Sequence, residues 1–154
     1  MPVQPAATGG IPPLARLLGL SGLLPQLGAV ALLLNGDPQS RFSALAIAYA
    51  YAAIILSFLG GLWWGLAART DAAPRWLWFV SVAPSLIALG TAWPWMVGLR
   101  WPGPSLVVLG ISLIGALLVD RALVRDGIAP HGWMALRLPL SLGLGVLTLL
   151  AAAL

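Results

Sequence analysis

Long apolar runs alternate with short polar breaks along almost the whole chain, and residues 17–34, 42–68, 76–96, 105–119 and 138–154 contain no charged side chain. Runs of this kind predict membrane-spanning helices. The pattern therefore predicts an all-α integral membrane bundle of about five transmembrane helices. Residues 14–154 form a single membrane domain behind a flexible Pro- and Gly-rich lead-in at 1–13. The first span is expected to be retained as an uncleaved anchor, because the lead-in has no basic segment.

The run 42–68 would extend about 40 Å as a helix, longer than a hydrocarbon core of about 30 Å, so it must tilt or project. Within it Tyr49, Ala53, Ser57, Gly61 and Gly65 recur every four residues. Such spacing predicts a small-residue seam for a neighbouring helix. On the same helical wheel Trp64 walls the seam and Trp63 turns toward lipid. With Gly60, these residues also offer a crevice for an apolar ligand. Pro25 and Gln26 predict a kink in the first span, and Pro84 among Ser81, Ser85 and Thr91 predicts another in the third. Gln26 and Pro84 mark where a polar cavity would lie. Run 105–119 would cover only about 22 Å, so Trp101, Pro102 and Pro104 are expected to complete it at the interface, leaving four spans if it does not cross. A charged loop is expected to begin at Asp120.

Composition narrows the class. Hydrophobic residues make up 60% of the chain and charged ones 8%, too few polar groups to cover a soluble surface. The net charge of +4 comes from eight arginines scattered between the runs. This reads as topology and not as a nucleic-acid groove. Arg16, Arg69, Arg75, Arg121, Arg125 and Arg137 fall on one side of five spans, and Arg41 and Arg100 on the other. The N-terminus is accordingly expected in the cytoplasm, or the matrix of an organelle. Trp76, Trp78 and Trp133 would form the aromatic belt on that side, and Trp93, Trp95 and Trp101 the opposite one.

Little in the sequence suggests catalysis. There is no cysteine and one histidine, His131, so no metal or haem ligand set and no cofactor is expected. Ser57, Ser81, Ser85, Ser112 and Ser141 lack an evident base, which favours helix packing over hydrolysis. Asp120, at the cytoplasmic edge, is expected to pair with Arg121 or Arg137, and this basic edge could equally contact lipid headgroups.

Several tracts resemble a known family: ILSFLGG at 55–61 followed by Trp64-Gly65, SVAPSL at 81–86, Asp120-Arg121, and the segment 130–138 with Leu136-Arg137 near its end. From about Leu14 onward the chain resembles the bacterial and mitochondrial membrane family that includes transmembrane protein 69. Many members carry histidine where this chain has Trp63, so no imidazole role transfers. The resemblance implies a multi-span inner-membrane protein and brings no established activity with it. Together these features predict a non-enzymatic packing, assembly or lipid-interacting component. Its partners would be the bilayer, another membrane protein or a second copy, with no nucleic acid. The alternative is a small transporter or channel for an uncharged or lipophilic solute.

Overall fold

Proline sets many of the helix starts. Pro13, Pro25, Pro38 and Pro104 each occupy the first or second position of a helix, where a missing N–H costs no hydrogen bond and φ is already helical. The structure, a computed structural model, describes residues 11–154; most of the lead-in expected over 1–13 lies outside them. Six helices follow in order: α1 (Pro13–Ser21), α2 (Leu24–Leu34), α3 (Pro38–Ala68), α4 (Arg75–Met96), α5 (Gly103–Arg125) and α6 (Trp133–Ala153). Counting α1 and α2 as one crossing, five segments are long and apolar enough to span a membrane.

The first crossing is broken where a kink was expected. The break falls at Gly22 and Leu23, and Pro25 sits in the first turn of α2 instead of bending a continuous helix. Tyr51 of α3 donates its hydroxyl to the Gly22 carbonyl at the break. A backbone acceptor freed inside lipid must find such a partner. At the next turn, Asp37 caps α3 by accepting the Gln39 and Ser40 amides at 3.1 Å each.

The fourth crossing is longer than its uncharged run suggested. α5 passes Asp120 and ends at Arg125, and its 23 residues reach about 34 Å at about 1.5 Å per residue, enough to cross. Leu106, Leu109, Leu113, Ala116 and Leu123 keep one buried face through the charged end. Arg121 and Arg125 point outward. α6 likewise begins at Trp133, earlier than the expected 138, after Gly132 takes a left-handed φ of +79° that suits glycine.

Helix α3 is the hub, touching α2, α4, α5 and α6, while α5 and α6 share the longest seam. That seam closes on Gly110 and Gly145. A Cβ built on either glycine would lie 3.0 Å from the other's carbonyl oxygen. Close approach of this kind is how helices associate where lipid removes the usual hydrophobic drive. Side-chain ties add to it: Gln26 of α2 donates to Thr148 of α6 at 2.9 Å, and Ser105 of α5 donates to the Thr91 carbonyl of α4 at 2.7 Å. The outer surface is apolar, with Phe79 79% and Leu118 72% exposed. Lipid is the medium that such a surface fits.

The expected seam on α3 is displaced by one residue. Gly61 and Gly65 are exposed, with open space where a Cβ would stand, and Ser57 is half-buried. The buried stripe is Ala44, Ala48, Ala52, Leu56 and Gly60. Gly60 makes the close approach, since a Cβ there would collide with the Ser81 carbonyl oxygen of α4. This rotation also exchanges the tryptophans: Trp63 is buried, and Trp64 is half-exposed, edge-on to Trp78 with ring centroids 4.7 Å apart.

Candidate functional site

The rotation of α3 brings Trp63 against the C-terminal end of α5 and the N-terminal end of α6, and there it meets a carboxylate. Asp120 is fully buried on the inner face of α5, one helical step beyond Leu113 and Ala116. Its Oδ1 accepts the indole N–H of Trp63 at 3.1 Å and that of Trp133 at 3.0 Å. Oδ2 accepts Arg137 Nε at 2.8 Å. Three helices converge on one carboxylate.

Position on α6 explains how Arg137 reaches it. Trp133, Arg137, Ser141, Leu144, Gly145 and Thr148 are all buried and form one stripe. A stride of about four residues holds Trp133 and Arg137 on the α5-facing side. Arg137 also donates from Nη2 to Ser141 Oγ at 3.0 Å. The ion pair is almost wholly enclosed, its side chains 7% and 0% exposed. Ionic groups at this depth persist when each is paired and hydrogen-bonded. Three donors thus occupy the two oxygens of Asp120.

Beside this cluster lies a cavity of about 240 Å³ between α1, α3 and α6. Here α1 packs on α6. Leu18, Phe58 and Leu140 form apolar walls, Tyr51 stands near the helix break, and Arg137 and Ser141 supply the polar end. Leu18 and Phe58 are themselves exposed on the lipid-facing surface. The cavity thus opens sideways, toward the apolar medium.

Of the residues singled out from sequence, Asp120 and Arg137 come together, while Arg121 stays exposed and outside the pair. Gly60 packs on Ser81 and Pro84 of α4, and Pro84 is buried in that contact. Gln26 is fully buried against Thr148, its Oε1 without a partner among the described residues, instead of lining an open polar cavity. Among the described residues Ser57 and Trp64 do not join Gly61 and Gly65, which floor an exterior hollow beside Phe58 and Leu62. His131 is exposed in the loop between α5 and α6. Trp133 leaves the expected belt for the interior, whereas Trp93 and Trp95 are exposed.

Sequence reasoning missed the indole donors Trp63 and Trp133, and gave Ser141 only a packing role. One signal could have found them. Continuing the stripe Leu106, Leu109, Leu113, Ala116 by one step lands on Asp120, and reading α6 in steps of four from Trp133 gives Arg137 and Ser141.

No curated protein and no solved structure matches the chain. Residues 11–153 match one family model, which covers every helix of the bundle, and the chain therefore belongs to the family described as "Protein of unknown function (DUF3429)".

Proposed function

We propose that this protein is a non-enzymatic component of the inner membrane that holds a lipophilic molecule in the lateral pocket between α1, α3 and α6. The observation that carries the reading is a cavity with apolar walls that ends on a buried guanidinium. Arg137 and Ser141 stand at the polar end, and exposed Leu18 and Phe58 border the lipid side. Few polar groups in an apolar hollow are what orient a bound amphiphile. The broken first crossing supports the same reading, because Gly22 and Leu23 at the break line the pocket beside Leu18 and Gly19 of α1.

In this reading the start of α1 faces the cytoplasm. Six arginines (Arg16, Arg69, Arg75, Arg121, Arg125 and Arg137) lie on that side against Arg41 and Arg100. The bias favours that orientation. A narrower kinship with transmembrane protein 69 is part of this proposal, resting on the tracts that resemble it.

Native mass spectrometry of protein extracted with its own lipids tests the proposal, comparing the parent with Leu140→Trp, which fills the pocket. A discrete bound mass lost in the variant is the expected result. A parent that carries no bound mass, or one retained equally by the variant, would contradict it.

A further inference from the structure

The pocket's polar end also restricts what can bind there, on the reading that it holds a lipophile. Arginine has five N–H donors. Asp120 takes one and Ser141 another, leaving three with no protein acceptor among the described residues. Ser141 Oγ accepts from Arg137, and its own proton has no acceptor among the described residues. Tyr51, the other polar side chain on the wall, has its proton committed to Gly22. Every uncommitted proton at the Arg137 end is therefore a donor in search of an acceptor.

Charge and size narrow the guest further. The Arg137 and Asp120 pair is already neutral, so a carboxylate or phosphate head would leave a net negative charge inside an apolar site. A neutral carbonyl oxygen accepts the same hydrogen bonds without that cost. The volume, about 240 Å³, lies below the range of about 300–1,000 Å³ that holds drug-sized ligands. Inside the hollow it suits one ring or one chain segment. We infer that the occupant is a lipophile bearing a neutral carbonyl, whose oxygen is held by Arg137 and Ser141. Quinones and acyl esters share this chemistry.

Equilibrium binding to the detergent-solubilised full-length protein distinguishes the sources, with Leu140→Trp as the reference for partition into micelles. The probes are decylbenzoquinone, methyl decanoate, decylbenzene and decanoate. The quinone or the ester should bind at least about tenfold more tightly than decylbenzene, as hydrogen bonds to a charged donor allow. The tighter of the two identifies the source. Ser141→Ala should weaken that probe about fivefold, the magnitude of one hydrogen bond, and leave decylbenzene unchanged. Decanoate binding tightest, or all four binding equally to the parent, would overturn the carbonyl assignment while leaving the lipophile pocket standing. No binding above the Leu140→Trp reference by any probe would overturn both.

Discussion

Trp63 and Asp120 are joined by a hydrogen bond of 3.1 Å between indole Nε1 and carboxylate Oδ1, which ties α3 to α5 inside the bundle. The same oxygen receives Trp133, and the other receives Arg137. A single carboxylate therefore organises three helices next to the lateral pocket. Its removal should be felt across the fold.

Asp120→Leu leaves Arg137 as an unpaired buried charge. The expected loss is about 3–5 kcal/mol, the range for breaking a buried pair from one side. The double variant Asp120→Leu with Arg137→Met should recover much of it, because no lone charge remains. Denaturant unfolding in micelles checks this as a double-mutant cycle. Additive losses would show that the two side chains do not act as a pair.

The two indoles share one acceptor, so their contributions should be coupled. Trp63→Phe and Trp133→Phe are each expected to cost about 1 kcal/mol, since the carboxylate oxygen keeps its remaining indole. Together they should cost more than the sum, because only then is Oδ1 left with no donor. Stability of both single variants and the double measures the coupling directly.

Gly60 and Gly61 are neighbours in sequence with opposite surroundings. Gly60→Ala forces a Cβ onto the Ser81 carbonyl and should destabilise the bundle by about 1–3 kcal/mol, as overpacking does. Gly61→Ala points into open space and should stay within about 0.5 kcal/mol of the parent. The reverse order in thermal melts would restore the seam read from sequence.

This contrast shows where the sequence was readable. Apolar runs mark five crossings, and prolines mark helix starts, because both follow from local chemistry. The facing of α3 does not. Small residues stand at four-residue spacing at Ala53, Ser57, Gly61 and Gly65 and, with Leu56 interposed, at Ala44, Ala48, Ala52 and Gly60. Only the neighbouring helices α2, α4, α5 and α6 decide which stripe is buried. Asp120 was hidden for a related reason: a charge at the end of an apolar run resembles a loop, unless the buried face is followed past it. The broken first crossing depends on Tyr51 meeting Gly22 from a distant helix, which no local pattern records.

Asp37 provides a pH prediction outside the membrane spans. Its carboxyl is held below its ordinary value of 3.8 by the Gln39 amide, then by the Ser40 hydroxyl, with the Ser40 amide adding to the effect. A depressed folded-state pKa stabilises the fold above the unfolded value and loses that effect as pH falls through the folded one. The start of α3 should stay ordered near neutral pH and fray only below about 3.8, as an N-cap carboxylate protonates. The carboxyl chemical shift of Asp37, followed by titration, should report the lowered midpoint. Asp37→Asn should abolish that acid-dependent fraying.

The central claim is that one guanidinium serves both the buried carboxylate and the pocket. Indole N–H resonances test it most directly, with Trp63 and Trp133 assigned through their Phe variants. Adding decylbenzoquinone should shift both, because a new acceptor at Arg137 alters its hold on Asp120. Trp93 and Trp95, on the opposite side of the membrane in this topology, should not move. Shifts confined to Trp93 and Trp95, or no shift at any of the four, would contradict the account.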